Sequence, residues 1–320
     1  IAMLRLDDGS DRYYYGGFKR TPGTNFLGLG YIGYPVAIGV DDRDGTLAHE
    51  IGHNLGLPHA PCGDPAGPDL QYPYPDGFVG RFGYDRTRGV LLDPYRTYDL
   101  MGYCDPVWIS DYNYERVLAY RDTSRFDAAF EAPETGSPAP PRRATLVVRG
   151  GVLDGALRLE PALEWDGPVT PPAQGPYALE GLDAAGRTLF TVAVAPRRLD
   201  HGLGSTFLVA LPAEQARTDR LHTLRLTGPE GTVERTRTDR SRRVRADLAV
   251  DRAGAPAGRA RVAGRWDRDA FPLAVVRDRV TGRIVAMSRT GRIAVPDDPA
   301  RVEVLFSDGI GTRPGRVVRR

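Results

Sequence analysis

Between residues 49 and 59 the chain reads His-Glu-Ile-Gly-His-Asn-Leu-Gly-Leu-Pro-His. On a helix, His49 and His53 are about one turn apart, so both imidazoles leave the same face. Such a pair can grip one metal ion from one side. Glu50, next to the first of them, can take a proton from a water on that metal. Gly56 allows a sharp turn, because glycine adopts positive φ at little cost, and His59 can then return as a third ligand. Three histidines leave one position of a tetrahedral Zn²⁺ open to water, which a catalytic site needs and a structural site lacks. A bare H-E-x-x-H arises by chance, but Gly56 and His59 extend it to five fixed positions. Three of the chain's five histidines fall in this stretch; His201 and His222 lie far downstream, in a region of β pattern.

The elements around the motif follow from local chemistry. Residues 1–6 are too short to classify, and Asp7 to Asp11 is turn-forming. Arg12 to Phe18, rich in Tyr, predicts a strand. Residues 20–33 are dense in Gly and predict a loop. Tyr34 to Val40 predicts a second strand at a sheet edge, since Pro35 has no N–H for a ladder. A helix follows, capped by Asp42 or Asp44, running through Leu47, Ala48, Ile51 and Leu55 and stopped by Gly56. Residues 60–98 predict a long ordered loop. Ser110 or Asp111 caps a last helix to about Arg125, with Val117, Leu118 and Phe126 on its apolar side.

Four prolines between Glu131 and Arg143 mark a linker. Beyond it the pattern becomes short alternating strands separated by turns. They run at 145–148, 156–159, 189–194, 205–210 and 221–226, then 244–250, 259–262, 273–276, 283–287 and 301–305. That spacing predicts two small β-sandwich domains of Ig-like type, divided near 236–242.

Composition agrees with a division. The chain has 320 residues, room for two or three domains. Residues 1–130 hold 12 basic and 18 acidic side chains, a net of −6, and the remainder holds 31 and 23, a net of +8. Fourteen of the 15 tyrosines precede residue 121. The overall net charge of +2 argues against a polyanion binder. The Arg-rich 235–245 stretch has no stacking aromatics, so it predicts a solvated surface and not a nucleic-acid patch. No run of about 18 apolar residues could span a membrane. Cys62 and Cys104 could form a disulfide between the loop after His59 and a turn near the metal, which would imply an oxidising compartment. Free thiols or extra metal ligands are the alternatives. Asp41, Asp42, Asp44, Asp64, Asp69, Asp76 and Asp85 could include a Ca²⁺ site, though without EF-hand spacing. Tyr72-Pro73-Tyr74-Pro75 could shape a specificity pocket or form a stiff loop.

The pattern H-E-x-x-H-x-x-G-x-x-H resembles the metzincin clan of zinc peptidases, which also has a Met-containing turn beneath the ligands. Tyr98-Asp99-Leu100-Met101-Gly102-Tyr103-Cys104 is similar to that turn, and Met101 is one of three Met in the chain. A Met filling a core gap is the plainer role. In some metzincins a Tyr two positions after the Met stabilises the oxyanion. The resemblance implies this for Tyr103, with simple packing as the alternative. The text around both motifs, including the Cys pair and Trp108 to Tyr114, most resembles bacterial secreted metzincins that degrade mucins. The resemblance covers about residues 12–126. It departs from the clan in one respect: only 48 residues precede His49, which predicts a sheet lacking its first strands.

The expected architecture is therefore a multidomain α+β chain. A metzincin-like catalytic domain spans 1–130, a linker 131–143, and two β-sandwich domains 144–236 and 243–320. The implied activity is that of a secreted endopeptidase with one catalytic Zn²⁺, acting on extracellular proteins or glycoproteins, with no signal peptide in this chain. A binding or adhesion protein with an inactive peptidase unit is the second reading, and a zinc amidase the third.

Overall fold

The computed structural model describes residues 1–20, 22–23, 26–123, 142–170, 174–238, 245–251, 259–290, 292–296 and 299–318. The expected linker at 131–143 and the expected division at 236–242 fall largely outside them. The chain forms two compact units: one takes Ile1–Arg5, Ser10–Pro138 and Arg197–Ser205, the other Leu6–Gly9, Ala139–Pro196 and Thr206–Arg320. The described elements are mostly β-strands, with few helices.

After the short helix α1 (Ala2–Asp8), the first unit is built on a three-stranded sheet. Strands β1 (Tyr14–Phe18), β2 (Gly28–Gly30) and β3 (Val36–Val40) lie in the order β1-β3-β2. β1 runs parallel to β3, with Tyr14 opposite Val36, and β2 runs antiparallel, with Gly28 opposite Gly39. An edge strand at Tyr34 to Val40 is thus not found. β3 is central, because Pro35 sits just before the ladder and contributes only its carbonyl, to Tyr14 N–H. The outer strands are β1 and β2, and β2 lies inside the stretch expected to be loop.

Helix α2 (Asp44–Asn54) packs on this sheet, and neither Asp42 nor Asp44 caps it; the N-cap is Arg43, without a side-chain cap bond. Its burial reverses the expected amphipathicity. Leu47 is exposed, while His49, Glu50, Gly52, His53 and Asn54 are buried. Burying a polar group costs free energy unless it is hydrogen-bonded. The side-chain amide N–H groups of Asn54 are satisfied by the carbonyls of Tyr31 and Val36, both at 3.0 Å. At the C-terminus Gly56 takes φ +86°, and the chain reverses there as expected.

The stretch after α2 is less irregular than expected. A hairpin of β4 (Gly83–Asp85) and β5 (Val90–Leu92) is followed by the short parallel pair β6 (Tyr98–Asp99) and β7 (Val107–Trp108). Helix α3 (Asp111–Thr123) then closes the unit. Ser110 caps it, its Oγ accepting Asn113 N–H at 3.1 Å. Val117 packs against the core but Leu118 is exposed, and Phe126 lies outside the described residues.

Among the described residues the second unit is mostly β-strand, with one turn of α-helix at Ala213–Ala216 and a 3-10 turn at Pro299–Arg301. One sheet contains Leu163–Gly167, Arg143–Leu153, Ala156–Leu159 and Gly204–Pro212. Another contains Thr188–Val194, Tyr177–Leu182, Thr223–Gly228 and Gly231–Thr236. Leu146, Val148, Leu179, Phe207, Leu224 and Leu226 fill the core that they share. Two further four-stranded sheets follow, with Phe271, Val276, Val304 and Phe306 forming a second core. Leu163–Gly167 and Tyr177–Leu182 are strands that the pattern did not single out. Arg235 and Arg237 are not a freely solvated surface: Arg235 donates twice to Leu159 O, and Arg237 donates to Thr218 O.

Candidate metal centre

The site is assembled from α2, the turn after it, the turn at residues 98–104 and the hairpin Arg197–Ser205, all within the first unit. His53 Nε2 lies 3.2 Å from His49 Nε2 and 3.2 Å from His59 Nε2. Each ring is oriented through its other nitrogen. Nδ1 of His49, His53 and His59 faces the carbonyls of Leu100, Leu57 and Ala66 at 2.8, 2.7 and 2.9 Å. A carbonyl only accepts, so in the neutral ring each Nδ1 carries the proton and each Nε2 presents a lone pair. Burial, the largest cause, keeps the rings neutral by lowering His49 to about 4 and His53 to about 3, and by lowering His59.

Three lone pairs thus face one another with no proton between them, which is unfavourable unless a cation lies at their focus. The spacing fits one. Zinc–nitrogen bonds of about 2.0–2.1 Å in a tetrahedron place ligand atoms about 3.3 Å apart. The chemistry and the spacing of these residues therefore fit a single Zn²⁺-sized ion.

Glu50 is buried beside the histidines. Its carboxyl is raised to about 9 by burial first, then by the Asp200 carboxylate. Met101 is fully buried against Leu57 and Ala60, and any Cβ on Gly52 would collide with its Sδ. The missing side chain at Gly52 is what lets the turn approach the helix beneath His49 and His53. Asp99 holds that turn in shape. Its carboxylate accepts Met101 N–H at 2.8 Å, Ser110 N–H at 2.8 Å and Asn113 Nδ2 at 2.9 Å. Cys62 and Cys104 are joined in a disulfide, with Cα atoms 5.8 Å apart.

Tyr103 OH lies 3.0 Å from His59 Nε2 and 2.6 Å from His201 Nδ1. Burial, then the Asp200 and Glu50 charges, raises the phenol above its ordinary value, so it stays protonated and able to donate. Tyr72 and Tyr74 do not line the cleft. Tyr72 donates to Phe78 O and Tyr74 to Asp111, which stiffens their loop. Among the aspartates considered for Ca²⁺, Asp69 is engaged by Arg116 and Tyr112, and Asp85 accepts the N–H groups of Thr87 and Arg88.

Two residues at the site were not anticipated. Asp200 is buried 3.4 Å from His53 Nε2, and His201 stands beside Tyr103. His201 is not remote from the motif, because the segment that bears it folds with the first unit. Only its rarity among five histidines and its place in an Asp-His-Gly turn could have drawn attention to it. A cleft of about 690 Å³ opens beside Glu50, walled by Phe26, Leu27, Leu100 and Val107, with Arg43 at its border.

Residues 14–101 match the family model described as Peptidase M66. The match runs from β1 through the three histidines to Met101, and it supports peptidase activity of the metallopeptidase type. Neither the curated proteins nor the solved structures compared with the chain gave a match.

Proposed function

We propose that this chain is a zinc endopeptidase of the metzincin type, secreted, and acting on extracellular proteins or glycoproteins. The observation that supports it best is the convergence of three neutral Nε2 atoms beside Glu50, in a stretch matching a peptidase family model. Zn²⁺ held by His49, His53 and His59 would supply a Lewis acid that acidifies water and polarises a carbonyl. With the ion's charge offsetting its burial, Glu50 would be ionised, accept the proton of the attacking water and return it to the leaving amine. Tyr103, a protonated phenol at the rim, donates a hydrogen bond to the developing oxyanion. An extended substrate pairs with the outer edge of β2, where Gly28 borders the cleft. Its side chains enter the apolar wall of Phe26, Leu27 and Val107. The disulfide favours an oxidising compartment.

The test is hydrolysis of a panel of proteins and glycoproteins, mucins included, by the chain and by Glu50→Ala. Cleavage by the former, lost in the variant and on chelation, supports the reading. Cleavage that survives in Glu50→Ala, or a folded chain that binds no zinc, sinks it.

A further inference from the structure

The hairpin Arg197–Ser205 has the features of an inserted ligand and not of a chance neighbour. Its chain lies antiparallel to the segment that continues β2, with Leu199 opposite Tyr31. Ile32 N–H donates to Arg198 O at 3.1 Å, and Asp200 N–H donates to Gly30 O at 3.1 Å. A third bond comes back from Gly30 N–H to Asp200 Oδ1 at 3.2 Å. These are the contacts of an added strand, and they fill part of the edge that a peptide substrate would use.

At its tip the hairpin turns through His201 and Gly202, both at positive φ (+53° and +66°), with Leu203 N–H returning to Asp200 O. Two successive left-handed residues make a type I′ turn, which Asn-Gly would form at less cost than His-Gly. The strain at His201 is localised where the turn enters the site.

The consequence is the position of Asp200. Its side chain is fully buried. With Oδ1 bound to Gly30, Oδ2 is left 3.4 Å from His53 Nε2 and 3.1 Å from His201 Nε2, without an aligned hydrogen bond to either. A buried carboxylate oxygen facing the lone pair of a neutral imidazole is repulsive unless a cation sits between them. The separation is again the edge of a zinc tetrahedron. Asp200 also groups within ligand distance of Glu50 and His53, and in a second cluster with His59 and His201.

The geometry points to Asp200 as a fourth protein ligand of the metal held by His49, His53 and His59, delivered by a hairpin that occupies the substrate edge and closes the site. This rests on the metal reading above. It converts an open catalytic site into a latched one, which substrate or partner must displace by lifting a hairpin held through two backbone hydrogen bonds and one from Gly30 N–H to the Asp200 side chain.

The experiment titrates the metal-free full chain with Co²⁺, whose visible spectrum reports ligand number and type. Asp200→Asn is compared with the unaltered chain, because the amide oxygen can still accept Gly30 N–H while the anionic ligand is gone. Expected are Co²⁺ binding weakened by about tenfold or more and a changed spectrum. A second measurement needs no variant. Acetohydroxamate should leave the Co²⁺ spectrum of the unaltered chain unchanged at concentrations that shift the spectrum of an open three-histidine site. Equal Co²⁺ affinity in both chains, or a ready shift with acetohydroxamate in the unaltered chain, overturns the latch and leaves the three-histidine site standing. Failure of the unaltered chain to bind Co²⁺ more tightly than His53→Ala overturns both readings together.

Discussion

Asp200 Oδ2 and His53 Nε2 face each other at 3.4 Å with both side chains fully buried, although 147 positions separate them in sequence. A neutral imidazole lone pair and a carboxylate oxygen do not hold that arrangement by their own attraction. The same holds for the three Nε2 atoms around it. These contacts fit a site that could hold a cation, and the following expectations start from that reading.

Replacing His53 with Ala removes the ligand at the centre of the cluster. Zinc content, measured by elemental analysis after dialysis, should fall from about one ion per chain to near zero. Zinc-dependent stabilisation against heat should vanish with it. An unchanged zinc content would place the metal elsewhere.

The metal-free chain should have its stability maximum near neutral pH. His49 and His53 have folded pKa values of about 4 and about 3, below the ordinary 6.5. The unfolded chain therefore takes up protons first, and stability falls as pH drops below about 6.5. Glu50 has the opposite sign. Its folded value is raised from 4.5 to about 9, so the unfolded chain ionises first and stability falls as pH rises across that range. Glu50→Gln removes the second effect, together with its coupling to Asp200. In urea titrations with chelator, the variant should gain on the unaltered chain between pH 6 and pH 8.5, by roughly one to a few kcal/mol. Parallel curves for the two would contradict this assignment.

Met101 is fully buried beneath α2, where Gly52 leaves room for its sulfur. Met101→Ala should cost about 2–5 kcal/mol through the cavity it leaves. Met101→Leu, of similar volume, should cost less than about 1.5 kcal/mol. Denaturant midpoints measure both. Equal losses would mean that the thioether itself, and not its volume, matters here.

The Cys62–Cys104 disulfide closes a loop of 42 positions that includes β4, β5 and the turn bearing Met101. Cys62→Ser with Cys104→Ser should lower stability by about 2–4 kcal/mol, largely by freeing the unfolded chain. The measurement is unfolding with and without reductant. The unaltered chain should move to the position of the double variant when reduced, and no movement would show that the bridge is not constraining.

What could be read along the chain was local. The spacing of His49, His53 and His59 follows from helix pitch and one glycine turn, and the alternating strands downstream follow from the two-residue period of a pleated sheet. What failed was whatever depended on distant partners. Leu47 is exposed and Asn54 buried on α2 because the sheet and the turn at 98–104 supply carbonyls to the polar face, which no periodicity records. β2 was hidden in a glycine-rich stretch because its strand character comes from pairing with β3, not from its own residues.

The same division separates the two halves of the site. The sequence by itself determined the three histidines, Glu50 and the glycine that turns the chain between them, since these lie within a dozen positions and obey backbone geometry. Only the tertiary structure decided that Asp200 and His201 join them. Their placement depends on a hairpin leaving its own strands to pair with Gly30 and Ile32. Such pairing uses backbone N–H and C=O groups, which every residue has, so it leaves no mark in the side-chain alphabet.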